Sequence, residues 1–486
     1  MPLVTEEPGE LFIGGRWEAA TGGATLPVLN PATGATATTV AAAGAGDVDR
    51  AVRAARAAFD GGGWSGLRPR ERGRVLQRAA ALLRDHAEEF ARLESLDVGK
   101  PILFTRTVDI PTVADTFEYY ASLAAGIEGS ARPTAAPALA YTRREPIGVV
   151  GAITPFNFPL ILSATKIAPA LAAGNTIVHK PAPETPLSAL RLARLLAEAG
   201  VPDGVYNLVT GDSAAGVALT GHPLVDKIAF TGSSATGRAV AALAAQTLKQ
   251  VTVELGGKGA NIIFADADLE AAVSTAISAF VFNTGQFCMS GSRLLVERPV
   301  YEAVIDALAG ALPHIPVGDP MAEGTIIGPM AGPAHLAKVL SYLDRATAAR
   351  VRRHDGGPRS EPGSGGFYVS PALLAGVDQD SPFVQEEIFG PVVTVQPFDT
   401  EAEAVALANG TAYGLSAGLQ TGSVARAHRV AAALNAGIVW VNGWSLLDPA
   451  MPFGGVGQSG YGRENGPEGL DAYLRTKSVL VSLAGA

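Results

Sequence analysis

Hydrophobic positions in this chain alternate between two periods. Short, nearly unbroken apolar runs of about four to eight residues have the length of buried strands. Between positions 147 and 257 they read IGVVGAIT, NTIVHK, VYNLVTG, KIAFTG and VTVELGG. Between them lie stretches with helical spacing, such as 187–199 and 235–245. Strand, turn and helix repeated in this way predict an α/β fold with a doubly wound, parallel sheet. Sheets of that kind bind ligands beyond the carboxyl ends of their strands. Asn157, Lys180, Gly232 with Ser233, and Glu254 all fall at such ends.

The flanking patterns predict further elements. LFIGGRWEAATGG opens the chain as strand, turn and strand around Gly14 and Gly15. Residues 47–59 have helical spacing with Asp47 as N-cap. Residues 70–96 read as one long amphipathic helix, started by Pro69. The Pro- and Ala-rich segment 131–144 reads as a hairpin that leaves the domain. Residues 147–165 carry no charge and have about the length of a membrane span. Pro155, Asn157 and Pro159 interrupt them, so a strand over 148–154 and a helix from near Leu160 is the better reading. A last apolar helix, 271–282, runs into the polar, glycine-punctuated stretch NTGQFCMSGSR.

Composition narrows the function. The chain has 486 residues, 48% hydrophobic, enough for two or three domains with large cores. A net charge of −9 argues against nucleic acid as a partner, since phosphate binding needs clustered Lys and Arg. A single cysteine allows no internal disulfide and suits a reducing, cytoplasmic setting. The first ten residues lack the apolar run of a signal peptide. Seven scattered histidines give no metal-ligand spacing, so no metal is expected.

The candidate chemistry centres on Cys288, the lone cysteine. A free cysteine is ordinarily an inert core thiol. Here Gly285 and Gly291 bracket it among Asn283, Thr284, Gln286, Ser290 and Ser292. That setting suits a nucleophile in a cleft. Glu254, at a strand end before two glycines, reads either as a carboxylate satisfied by local amides or as a general base with a raised pKa. Asn157, in TPFNFP, is either a turn residue or an oxyanion donor. FTGSSATG follows a strand and opens a helix whose first amides could hold a pyrophosphate. Its glycines, Gly232 and Gly237, do not have the usual dinucleotide spacing. GLSAG at 414–418 matches a hydrolase nucleophile elbow, but only His428 follows and no acid lies between them. A serine hydrolase is therefore rejected.

Seven stretches in order, TPFNFP, PALAAGNTIVHKPAPETP, FTGSSATG, VELGGKGAN, NTGQFCMSGSR, EEIFGPV and PFGGVGQSGYGRENG, resemble the aldehyde dehydrogenase superfamily. The likeness spans nearly the whole chain. It implies a Rossmann-type cofactor domain (1–123 and 146–257), an α/β catalytic domain (258–458) and a small β oligomerisation flap (124–145 and 472–486). It also implies a homodimer or homotetramer, in which the flap adds a strand to a neighbour's sheet. Cys288 becomes the nucleophile, Asn157 the oxyanion donor and Glu254 the base for deacylation. Lys180, Thr231, Gly232, Ser233, Pro155, Glu387 and Phe389 become cofactor contacts. Lys166 matches a family lysine near the active site whose role stays open. Strictly NAD-using relatives often carry Glu three residues after the lysine; here Pro183 stands there and Glu184 follows, so NAD and NADP both remain open. The implied substrate tunnel is formed by Phe158, Leu162, Thr165, Phe287, Met289, Trp444, Leu447 and Phe453. With Phe156 in PFNFP, it resembles members acting on benzaldehyde- or vanillin-like aldehydes. Two alternatives stand beside hydrolytic oxidation: a CoA-acylating dehydrogenase, and a non-catalytic binding or structural protein on the same fold.

Overall fold

The computed structural model describes residues 9–357 and 365–483. The ends of the expected cofactor domain and flap, 1–8 and 484–486, and the internal stretch 358–364 lie outside the described residues. The N-terminal hairpin forms as expected, Leu11–Ile13 pairing antiparallel with Arg16–Glu18. Helix α1 spans Ala45–Asp60. Asp47 is not its N-cap but its third residue, and its carboxylate reaches back to the Gly44 amide at 2.8 Å. Gly44 has no side chain to offer, so the acid one turn on satisfies the free amide instead.

The expected single helix over 70–96 is two helices, α2 (Pro69–Asp85) and α3 (Ala87–Val98), hinged at His86. Packing explains the break. Helix α2 lies along α4 (Ile110–Ala124), whereas α3 turns toward the helix at Leu187–Glu198. One straight rod could not bury both stripes.

The core of the molecule is a sheet of five parallel strands: β1 (Val149–Ile153), β2 (Thr176–Lys180), β3 (Tyr206–Leu208), β4 (Lys227–Thr231) and β5 (Gln250–Glu254). Their order, β5-β4-β1-β2-β3, is that of a doubly wound Rossmann-type sheet. The hairpin strand Leu11–Ile13 extends it beyond β3, and Gly460–Tyr461 beyond β5. Alternate residues feed cores on opposite faces. Val150 and Ala152 join α2, α4, α5 (Pro159–Ala173) and α6 (Leu187–Glu198); Val149 and Ile153 join α1 and α7 (Ser234–Ala245). Burial on both faces is why these strands read as continuous apolar runs rather than alternating ones. The uncharged 147–165 stretch is β1, a turn and the start of α5, buried in protein.

Five residues after β5 the chain enters a second sheet. Its parallel strands are β6 (Ala260–Ile263), β7 (Arg293–Glu297), β8 (Ala372–Ala375), β9 (Val392–Phe398), β10 (Ser416–Gln420) and β11 (Ile438–Val441), in the order β8-β9-β7-β6-β10-β11. Helix α8 (Leu269–Val281) connects β6 toward β7, and α9 (Pro333–Ala348) precedes β8. Ser416 of the rejected elbow motif begins β10 and is buried, so no strand-to-helix elbow exists there. The 131–144 excursion is the strand pair Ala131–Arg132 and Ala138–Pro146. Within the expected flap, the C-terminal strand runs from Leu474 to Ser482 and pairs antiparallel with Ala138–Pro146.

Candidate active site

The switch between the two sheets brings the candidate residues together. Strand β1 ends at Ile153, and the turn Thr154-Pro155-Phe156-Asn157-Phe158 carries Asn157 above the sheet before α5 begins. The thiol comes from the other sheet. Helix α8 stops at Val281, and Asn283, Thr284 and Gly285 follow with φ of 50°, 57° and 68°. Left-handed backbone costs about 1–2 kcal/mol per non-glycine residue. The polar side chains of this stretch offset that cost. Asn283 donates to the Asn157 carbonyl at 2.8 Å, Thr284 to the Gly328 carbonyl at 3.0 Å, and Gln286 accepts from the Ala331 amide at 2.9 Å. Only glycine fits at 285, where a Cβ would lie 2.1 Å from the Gly390 carbonyl carbon. The Asn157 amide in turn donates to the Gln286 carbonyl at 3.0 Å, tying the two loops together.

Two glycines after Glu254 let the remaining groups approach. A Cβ at Gly256 would strike the Glu387 carboxylate, and one at Gly257 would lie 2.2 Å from the Cys288 carbonyl oxygen. The Gly257 amide donates to Glu387 at 2.9 Å. The result is a cleft of ≈160 Å³ lined by Pro155, Phe156, Asn157, Thr231, Gly232, Ser233, Leu255, Gly256, Cys288, His335, Lys338, Glu387 and Phe389. A larger surface groove, ≈550 Å³ around Tyr301, Arg350 and Asp378, holds none of the expected site residues.

The electrostatics are those of a desolvated acid-base site. Cys288 is half-buried, and its thiol is pushed up to about 12, first by burial and then by the charges of Glu387 and Glu254. Glu254 is 2% exposed, and neither carboxyl oxygen has a hydrogen-bond partner of normal geometry. Local amides therefore do not satisfy it. Burial raises its pKa well above the ordinary carboxylate value and repulsion from Glu464 adds to the rise, while Lys166, Arg463 and the Gly455 amide pull the other way. Burial also raises Glu387, against the Gly257 amide and Lys338 and Lys258. Lys180 is buried and lowered to about 8 by desolvation, with Glu184 and Asp212 opposing the fall. Ser233 caps α7, accepting from the Thr236 amide at 3.2 Å.

Of the expected site residues, Cys288, Asn157, Glu387, Phe389, Pro155, Thr231, Gly232 and Ser233 meet in one cleft, and the charge of the buried Glu254 acts on the thiol. Lys180 stands apart, at the end of β2. Three neighbours were not foreseen. Glu464 pairs with Lys166, which also donates to Thr231 at 2.6 Å. His335 stacks on Phe156, centroids 4.0 Å apart, and Lys338 lies one turn further along α9. Glu464 falls inside PFGGVGQSGYGRENG and could have been found there; His335 and Lys338 carry no local signal. Of the expected tunnel residues, Thr165 donates to Glu464 at 2.9 Å and Leu447 is 47% exposed. Phe158, Leu162, Phe287, Met289, Trp444 and Phe453 do pack around Cys288 in one apolar cluster, with Leu415 and Trp440.

The residues lining the cleft suit the nicotinamide end of a dinucleotide. The cleft begins at the carboxyl ends of β1 and β4, passes the N-terminus of α7, and ends at a buried carboxylate beside the thiol. Comparison with known proteins agrees. The aldehyde dehydrogenase family model matches residues 17–479. The chain is 44% identical to DhaS of Bacillus subtilis (strain 168) over 475 residues, 98% of this chain and 96% of that one. It superposes on the structure of PnpE in complex with nicotinamide adenine dinucleotide, a protein from Pseudomonas sp. WBC-3, with TM-score 0.96 and 45% identity, covering 99% of both chains. It likewise superposes on the NAD+ complex of aldehyde dehydrogenase from Bacillus cereus, with TM-score 0.96 and 43% identity, covering 98% of this chain and 97% of that one.

Proposed function

The chain belongs to the aldehyde dehydrogenase family, and from that premise we propose that it oxidises a hydrophobic or aromatic aldehyde to its carboxylic acid through a thioester on Cys288. The carrying observation is the lone thiol on a cleft with Asn157 and Glu387, under the charge of a buried Glu254 that lacks hydrogen-bond partners. Glu387, Phe389, Pro155, Thr231, Gly232, Ser233 and Lys180 would hold the cofactor, which supplies the hydride acceptor. A thiol raised to about 12 is neutral at rest, so attack on the carbonyl carbon needs a proton acceptor. That role falls to Glu254, a buried carboxyl whose charge acts on the thiol. The Asn157 side-chain amide and the Cys288 backbone N–H donate to the resulting oxyanion. Loss of hydride leaves the acyl group on sulfur. That first proton, from the thiol, passes to solvent; Glu254 then takes a proton from the water that attacks the thioester and returns it to the departing sulfur, releasing the acid and the thiol. A carboxyl pushed up by burial has a basicity suited to that step near neutral pH.

The aromatic cluster around Cys288 supports an apolar substrate. Glu184 and Asp212 beside Lys180 would repel a 2′-phosphate and favour NAD over NADP. The three-stranded flap, with Leu139, Leu480 and Val481 exposed, supports assembly into a homodimer or homotetramer. The test is a panel of aliphatic and aromatic aldehydes, scored by reduced-nicotinamide absorbance with each cofactor. Highest kcat/KM for aromatic aldehydes with NAD is expected. No reduction of either cofactor would favour a non-catalytic protein. Strong acceleration by CoA with release of an acyl-CoA would replace hydrolysis as the second half-reaction.

A further inference from the structure

Beneath the Asn157 turn lies a buried charge cluster that the mechanism does not use. Glu94, Lys100 and Asp109 are each no more than 1% exposed. Helix α3 ends at Gly99, in left-handed conformation, and Lys100 follows it inward. Its ammonium pairs with Asp109 and lies 3.7 Å from the centre of the Phe158 ring. Asp109 closes a π-helical turn, Thr105–Asp109, the kind of irregularity that re-aims a side chain at functional sites. The third member, Glu94, accepts a hydrogen bond from the Leu160 amide at 3.0 Å. Phe158 occupies the N-cap of α5 and has no polar side chain to cap it. Pro159 has no N–H, so the Leu160 amide is the first donor of α5. Glu94 thus caps this helix from a remote element, where the helix dipole favours an anion.

The two contacts grip consecutive parts of one turn. Lys100 holds the ring of Phe158, the residue after Asn157, and Glu94 holds the backbone two residues further on. Phe158 also packs against Phe282, just before the cysteine loop, and Phe287, next to Cys288, with centroids 5.9 and 5.4 Å away. We infer that the Glu94–Lys100–Asp109 cluster is a positioning device that sets the Asn157 amide for oxyanion stabilisation, without itself touching substrate. This rests on the reading of Asn157 given above.

The test is a double-mutant cycle read by single-turnover hydride transfer at saturating aldehyde, with cofactor Kd and Tm measured in parallel. Glu94→Leu removes the acceptor for Leu160; Glu94→Gln keeps an oxygen there. Each is made with Asn157 present and in an Asn157→Ala background. With Asn157 present, Glu94→Leu is expected to slow hydride transfer about 10-fold or more, and Glu94→Gln less than about 2-fold. In the Asn157→Ala background, Glu94→Leu should cost less than about 2-fold, since the group it positions is gone. Cofactor Kd should not move. An equal loss in both backgrounds, or a Gln variant as slow as Leu, would overturn the inference. If Glu94→Leu does not fold, Lys100→Met enters the same cycle with the same two outcomes. Should Asn157→Ala alone leave the rate unchanged, the reading of Asn157 fails, and that result is separate.

Discussion

Glu254 departs far from its behaviour in water, and its pKa makes a thermodynamic prediction. Its native-state pKa is raised well above the ordinary value of 4.5. Between those two values the native state binds a proton that the unfolded state has lost. Stability therefore falls as pH rises through that window. Glu254→Gln has no such dependence, so the Tm difference, variant minus wild type, should grow as pH rises above the ordinary carboxylate value of 4.5. A flat difference across that range, measured by calorimetry, would mean that the carboxyl is not held protonated. At Cys288 the prediction concerns chemistry alone. Cys288→Ala should cut turnover by on the order of 10⁴-fold or more, while cofactor affinity by fluorescence titration stays unchanged. Both residues were legible in the sequence because polar groups at strand ends and among glycines have few bland uses. What the sequence hid was the second cause, after burial, of the raised Glu254 pKa. Glu464 lies 210 positions away and meets it only in the fold.

Among elements, the glycines matter more than the strands they follow. Gly257 lets the cysteine loop lie against the turn after β5. Gly257→Ala would put a methyl 2.2 Å from the Cys288 carbonyl oxygen and force that loop or the Glu387 contact apart. The expected result is a loss of about 100-fold in kcat/KM with little change in Tm, since a 1 Å misplacement costs that much. Wild-type kinetics in this variant would show that the close approach is not required. The parallel strands and their helices were legible because burial on both faces leaves near-continuous apolar runs. The break at His86 was not, because the apolar stripe continues through it and only the partners of α2 and α3 differ. Asp47 was misplaced for a related reason. An acid near a helix start satisfies the same free amides from the cap or from one turn in.

For the whole molecule, we propose three units. The first sheet, 1–123 with 146–257, would carry the cofactor, 258–458 the thiol, and 124–145 with 472–486 the contact to a second copy. On the flap, Val481 stands directly opposite Leu139 across the strand pair, both exposed. An apolar pair on an open sheet invites a partner. Replacing both with lysine should lower the mass seen by light scattering to that of one chain, with the monomer still folded. An unchanged mass would place the interface elsewhere. The flap's register was hidden in the sequence, since its two strands lie more than 300 positions apart.

The thioester on Cys288 is the central claim, and Glu254→Gln tests it most directly. Gln keeps the size and hydrogen bonding of Glu254 but cannot accept a proton. The variant should give a burst of reduced cofactor, about one per active site, then very slow turnover. Mass spectrometry of the quenched protein should then find the acyl group on Cys288, the chain's one cysteine. Full-rate turnover with no adduct would contradict the mechanism, leaving Glu254 a structural carboxylate.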